Sequence, residues 1–302
     1  MNWTGFKGEL TMKTQLKVAL LVLVSGLTLA PSALVQAAST VDAANKYAYG
    51  ANIGWVDCRG DTNNGAVIGE YVCSGYLYSA NVGWINLGSG SPANQIQYQN
   101  NSAGDFGVNQ DGQGKLRGFA YGANVGWINF EATGAPTVDL LTGKFSGYAY
   151  SANCGWISLS NASAFVQTSS IKPAPLAPNG LPIAWLLSNF GTTNVSANAD
   201  ADGDGQSNAQ EYLAGTDPND VADVLKITAY QRNVLAPSYN QLWWNSKPTR
   251  FYVVQYNPNL ANNLGWLDYG YFSTPGVGAT GFFDYTPTNQ FYRIRAYRPL
   301  MP

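Results

Sequence analysis

At 302 residues the chain is long enough for two domains with substantial cores, and its make-up is 11% charged and 13% aromatic with 33 glycines. That mix suits β-structure with many turns better than helical bundles. A formal charge of -2 leaves no basic footprint for nucleic acid and no polybasic membrane patch, and the absence of histidine excludes Ser-His-Asp and Cys-His catalysis, the usual zinc sites and histidine pH switching together.

Residues 1–37 read as a secretory leader. Lys13 and Lys17 form a charged start, residues 18–30 an apolar run, and Val35-Gln36-Ala37 a small-residue cleavage site. The apolar run is too short for a comfortable membrane span, so no span is expected after cleavage; Met12 is an alternative start to Met1. Export places the mature chain where disulfides persist. Cys58 and Cys73 flank a 14-residue loop, and a bridge between them would contribute ~3 kcal/mol by loop-closure entropy. The third cysteine, Cys154, sits in a turn and is left as a free thiol or an intermolecular link.

Residues 38–160 hold four copies of one pattern. Tyr47-Ala-Tyr-Gly-Ala-Asn-Ile-Gly-Trp-Val-Asp recurs from Tyr76, from Phe119 and from Tyr148, placing Trp55, Trp84, Trp127 and Trp156 at intervals of 29, 43 and 29 residues. In each copy an aromatic-small-aromatic strand, a Gly/Ser-Ala-Asn-x-Gly turn and a Trp-led return strand predict a β-hairpin. Asn52, Asn81, Asn124 and Asn153 suit a left-handed backbone or a bond within their own turn, and the glycine two positions on takes positive φ at no steric cost. Short runs near residues 66–72, 106–109 and 137–141 suggest a third strand per unit. Residues 88–101, rich in Ser, Gly, Asn and Gln, read as a surface loop. Because a lone hairpin is barely stable, the units are expected to stack or close into a ring, with Tyr, Trp and Ile packed between neighbours. The alternative is an exposed aromatic row that stacks on sugar rings. The motif resembles repeats of exported bacterial proteins of unassigned function.

Residues 161–180 lose the pattern and carry Pro173, Pro175 and Pro178, predicting a semi-extended linker. A helix-loop-helix follows over 181–223, with helices at 181–190 and 207–214. Its loop runs Asp200-Ala-Asp-Gly-Asp-Gly-Gln-Ser-Asn-Ala-Gln-Glu, with carboxylates at loop positions 1, 3, 5 and 12 and glycine at 6. This is the spacing by which alternate residues of a tight turn present oxygens to Ca²⁺. Asp200, Asp202 and Asp204 are the expected monodentate ligands, the Gln206 backbone carbonyl the fourth, Asn208 direct or through water, and Glu211 the bidentate cap. Asp217 and Asp220 form a candidate partial second site, with a Pro-Asn turn bearing a solvated acidic rim as the plainer reading. Together with Gly215-Thr216-Asp217-Pro218, the loop resembles the thrombospondin type 3 calcium repeat of bacterial secreted proteins and one half of a dockerin. The resemblance covers residues 181–223 and implies calcium as the bound ion.

Residues 224–302 return to strand texture in six short runs, predicting a small antiparallel β-sandwich. Arg293, Arg295 and Arg298 cluster near its end, as edge-strand decoration. The fold class expected is mainly β: a hairpin-repeat domain, a calcium helix-loop-helix and a C-terminal sandwich. The function expected is a secreted, calcium-stabilised, non-catalytic cell-surface or extracellular structural or adhesion protein, partnered by glycans or other surface proteins. Alternatives are a glycan-binding module using Trp55, Trp84, Trp127 and Trp156, a polysaccharide-active enzyme working through carboxylates such as Asp57, Glu70, Glu131 and Asp139, and a self-assembling surface layer or homo-oligomer.

Overall fold

The computed structural model describes residues 39–301 apart from 62, 235–237, 262–264, 273–277, 286–289 and 299; the expected leader lies outside the described residues. The molecule is mainly β. Eight strands form the barrel: β1 (Val41–Gly50), β2 (Gly54–Asp57), β3 (Cys73–Ser79), β4 (Gly83–Ser89), β5 (Leu116–Gly122), β6 (Gly126–Asn129), β7 (Tyr148–Ser151) and β8 (Gly155–Ser158). Each pairs antiparallel with the next, and β8 returns to β1 through Tyr49↔Ser158 and Gly50↔Ile157, so the sheet has no open edge there. The pattern found four times in the sequence is the pair β1–β2, β3–β4, β5–β6 and β7–β8. The units therefore close rather than stack.

The alternation within each hairpin decides what fills the interior. Cross-strand pairs Ala48↔Val56, Leu77↔Ile85, Ala120↔Ile128 and Ala149↔Ile157 point inward and belong to the main apolar cluster. An eight-stranded barrel has room only for side chains, and three of these four pairs meet that limit by setting alanine against a β-branched residue. The tyrosines and tryptophans occupy the other face. Trp55, Trp84, Trp127 and Trp156 are 46–49% exposed, which corrects the expectation that they pack between units. A side-chain period of two leaves no other outcome once the Ala and Ile positions are inside.

The turns are tied to one another through their asparagine side chains. Asn52 Nδ2 donates to the Cys154 carbonyl at 3.2 Å, Asn81 to Ile53 at 3.1 Å, Asn124 to Val82 at 3.1 Å and Asn153 to Val125 at 3.0 Å. Each hairpin thus grips its predecessor, and the fourth is gripped by the first. The glycines after these carbonyls take φ of +70° to +79°, and the asparagine amide of the next hairpin sits against them. Left-handed backbone falls to glycine and the amide binds the neighbouring hairpin, which corrects the expectation that asparagine would take left-handed backbone or bond within its own turn.

Cys58, Cys73 and Cys154 are free and buried. The expected Cys58–Cys73 bridge is absent because both thiols pack separately among apolar side chains of the barrel interior. Cys154 stands where Ile53 and Val125 stand in other hairpins and fills the turn end of the barrel. The stretch at 88–101 is anchored by Tyr98, whose buried hydroxyl bonds the Cys73 carbonyl at 3.0 Å and the Gly90 amide at 2.5 Å. Within 161–180, residues Val166–Thr168 pair with β1, and Lys172 exchanges backbone bonds with Ile68 and Glu70.

Two helices follow, α1 (Ile183–Phe190) and α2 (Asn208–Ala214). Ser207 and Gln210 form a reciprocal capping box at the start of α2, and Gly215 ends it in left-handed backbone. Trp185 of α1 packs edge-on to Tyr212 of α2 at 5.7 Å between centroids. The last six strands are β9 (Ile227–Asn233), β10 (Tyr239–Ser246), β11 (Phe251–Asn257), β12 (Leu267–Phe272), β13 (Gly278–Asp284) and β14 (Phe291–Tyr297). They form two three-stranded sheets, β9-β10-β13 and β12-β11-β14. Leu242, Trp244 and Phe282 from one sheet share an apolar cluster with Tyr252 and Val254 from the other. Among the described residues no helix is long and apolar enough to cross a membrane.

Candidate metal centre

The loop before α2 is held by its own side chains. Asp200 accepts from the amides of Gly203 (2.7 Å) and Gly205 (2.9 Å), Asp202 Oδ1 from Asp204 N (3.1 Å), and Asp204 Oδ1 from Gln206 N (2.7 Å). These bonds, with Gly203 and Gly205 at φ of +81° and +95°, curl the segment until the three aspartates each place a carboxylate oxygen within 4.8 Å of the others.

What remains unbonded is more informative. Asp202 Oδ2, Asp204 Oδ2, Asn208 Oδ1 and both oxygens of Glu211 are buried without a hydrogen-bond partner. Asn208 and Glu211 are each 0% exposed. Asn208 spends its amide nitrogen on the Ser196 carbonyl at 2.9 Å, which fixes the side chain and leaves the oxygen free. Burial, followed by the charges of Asp202, Asp204 and Asp200, pushes the Glu211 carboxyl up to about 7. Each such buried oxygen costs ~1–3 kcal/mol if left unsatisfied, and these five come from four of the residues that the loop spacing nominates. An all-oxygen, carboxylate-rich set is what a hard divalent cation takes. Asp200, Asp202, Asp204, Asn208 and Glu211 are the residues that could hold such a cation. Gln206 additionally ties the loop to the C-terminal sheets through its side chain, which donates to the Leu225 carbonyl at 2.7 Å.

Asp217 and Asp220 lie elsewhere in their interactions. Both are exposed and serve turns, Asp217 Oδ1 accepting from Asn219 N and Asp220 Oδ1 from Ala222 N, each at 3.0 Å. The four carboxylates considered for acid-base work are likewise engaged. Asp57 pairs with Lys46 at 2.7 Å, Glu131 accepts from Gly118 N at 3.1 Å, and Asp139 accepts from Leu141 N at 2.8 Å.

Glu70, the fourth, has a different setting. It is buried where the barrel meets α2 and the chain end, bonded by Arg298 Nη2 at 2.5 Å, the Tyr212 hydroxyl at 2.9 Å and the Ala174 amide at 3.2 Å. Arg298 also donates to the Tyr212 hydroxyl and lies over its ring. Arg250 is buried beside this group and donates to the α2 carbonyls of Leu213 (2.7 Å) and Tyr212 (3.2 Å), capping the helix C-terminus. Desolvation, then Arg298, brings its guanidinium down to about 10. The three late arginines therefore part company: Arg298 enters this network, while Arg293 stacks on Trp266 and donates to Gln255. No local spacing announces the network, since its members are 142 and 228 residues apart from Glu70. Comparison with protein-family models, with curated protein sequences and with solved structures gives no match to this chain.

Proposed function

We propose that the chain is a secreted, calcium-stabilised, non-catalytic extracellular protein. In this reading one Ca²⁺ wrapped by Asp200, Asp202, Asp204, Asn208 and Glu211 sets α2 as a rigid joint between the hairpin-repeat barrel and a small C-terminal β-sandwich. The observation that carries it is the five buried, unpartnered side-chain oxygens gathered within one twelve-residue loop. The Gln206 carbonyl completes the set by analogy with the thrombospondin type 3-like repeat, and Asp217 and Asp220 act as turn residues. The leader-like residues 1–37 support export, to a compartment where millimolar calcium fills a site of modest affinity.

The test is calcium titration of the mature chain from residue 38, followed by calorimetry and by scanning melts in calcium and in chelator. One bound equivalent is expected, with ~0.6–1.8 kcal/mol of added stability at about 2 mM ion for a dissociation constant of ~10⁻⁴ to 10⁻³ M. Asp204→Ala should lose both. Identical melts with and without the ion would remove the proposal.

A further inference from the structure

We infer that the outer wall of the barrel is a multivalent binding surface for neutral glycans, independent of the metal site. Each hairpin presents a tryptophan between two aromatic rings of the paired strand. Tyr49, Tyr78, Tyr121 and Tyr150 stand 4.8–4.9 Å from Trp55, Trp84, Trp127 and Trp156, inclined at 55–62°. Tyr47, Tyr76, Phe119 and Tyr148 flank the other side at 6.1–6.3 Å. Each indole thus has an aromatic ring on either side with close to half of its surface open, and at Trp127 Phe106 adds a further ring at 5.2 Å.

Between neighbouring triads the register places a polar side chain. Asp57 opposes Tyr78, Asn86 opposes Tyr121, Asn129 opposes Tyr150 and Ser158 opposes Tyr49. Asp57 and Ser158 are engaged by Lys46 and the Ser160 carbonyl, whereas Asn86 and Asn129 accept the Gly88 and Glu131 amides through their oxygens, which fixes each side chain with its NH₂ able to donate. A flat apolar ring flanked by such a carboxamide matches a pyranose, whose axial C–H bonds form an apolar face and whose equatorial hydroxyls project at the rim. Soluble proteins seldom leave repeated apolar clusters open without a use. Charge selects among sugars. Lys46, beside the first triad, is paired with Asp57 at 2.7 Å, and Arg117, which shares the outer face of β5 with Phe119 and Tyr121, is turned back onto the Leu116 carbonyl at 2.6 Å, so a uronic or sulfated chain finds little counter-charge along the wall. β-1,4-linked gluco-configured chains, which expose both ring faces, fit best. The Asn52–Asn81–Asn124–Asn153 ring holds the four platforms in fixed relation around the barrel, each open to a separate chain.

The experiment is calorimetry and tryptophan fluorescence of the full mature chain with cellohexaose and chitohexaose, beside pull-down on insoluble cellulose and chitin. A blue shift in emission and more than one site per chain are expected. Trp84→Ala and Trp156→Ala should each lower the stoichiometry and together cut retention on the polymer at least tenfold, with the melting curve and calcium binding of the parent kept. Asn86→Ala should weaken binding several-fold without changing the number of sites. Binding of neither oligosaccharide, or binding unchanged in the folded double variant, overturns the assignment. So does sugar-independent dimerisation that Trp84→Ala abolishes, which would make the ring a protein contact.

Discussion

Glu211 and Tyr212 are consecutive residues of α2 that answer to different parts of the molecule. The Glu211 carboxylate is buried beside the three aspartates of the loop, without a hydrogen-bond partner. The Tyr212 hydroxyl donates to Glu70 of the barrel at 2.9 Å and receives a bond from Arg298 near the chain end. One short helix therefore links the candidate ion site to the buried contact between the barrel and the C-terminal sheets. A seven-residue helix is not stable alone, so what fixes its first turn bears on what its next residue can hold.

The Glu211 position should reverse its sign with the ion. With calcium present, Glu211→Gln removes a ligand charge and lowers stability. In chelator at pH 8, above the raised Glu211 titration at about 7, the same change removes a buried, unpaired negative charge from beside three others, so stability rises. Melts of parent and variant in both conditions read this directly. A variant less stable than the parent in both would assign Glu211 a packing role alone.

The Tyr212 hydroxyl should matter more with calcium than without. Tyr212→Phe leaves the ring against Trp185 and deletes only the bonds to Glu70 and Arg298, an expected loss of ~1–3 kcal/mol for a charge-assisted pair of bonds. If the ion orders α2, chelation should shrink that loss to a few tenths of a kcal/mol, which urea midpoints at constant m-value resolve. Equal losses in both conditions would uncouple the joint from the metal. Glu70→Gln is harsher. It strands Arg298, whose side chain is 14% exposed, and should cost ~3–5 kcal/mol irrespective of calcium.

The asparagine ring makes a prediction that depends on symmetry. Asn81→Ala and Asn153→Ala each delete one amide bond to the preceding turn, at 3.1 and 3.0 Å, and each should cost ~1 kcal/mol by equilibrium unfolding. Because both act on the same closed sheet at equivalent places, their costs should match within about 0.5 kcal/mol and add. Gly54→Ala forces a Cβ onto backbone at φ +70° and to 3.2 Å from the Asn81 amide nitrogen. It should exceed either asparagine change, and in the Asn81→Ala background only the backbone part of its cost should persist.

The parts legible in the sequence were those in which one local period carries the information. Aromatic-small-aromatic before a turn and a Trp-led strand after it specify a hairpin, and the period-two aspartates with glycines between them specify a turn that gathers Asp200, Asp202 and Asp204. The sequence left open whether four hairpins close or stack, because closure depends on Tyr49 meeting Ser158 across 109 residues. It misjudged the tryptophans for a related reason. A period of two says that Trp55 and Val56 face opposite ways but not which way is in, and the larger apolar ring was assigned to the core. The interior of a narrow barrel admits Ala48 and Val56 and excludes indole, which is a fact of tertiary volume. The Glu70–Tyr212–Arg298 group has no local pattern to betray it.

The cysteines supply a chemical test of the interior. Burial pushes the thiols of Cys58 and Cys73 up to about 12, against ~8.5 for an unfolded cysteine. Folded chains should therefore resist iodoacetamide at pH 8 and react at all three positions only in denaturant, and reduction should not change the mass of the oxidised preparation. The linkage sign follows from the same shift. Below about pH 8.5 both states keep the protons and stability is unaffected. Between about 8.5 and 12 the unfolded chain loses protons that the folded chain retains, so stability falls by up to ~1.4 kcal/mol per pH unit for each thiol. Replacing Cys58 and Cys73 by alanine should lower stability at pH 7 through lost packing yet flatten the decline from pH 9 to 11 relative to the parent. Buried tyrosines contribute a slope of the same sign to both proteins and cancel in that difference. A decline of equal steepness in the two would place these sulfurs outside the barrel core, and a gain of two hydrogen atoms per chain on reduction would show two of them bridged.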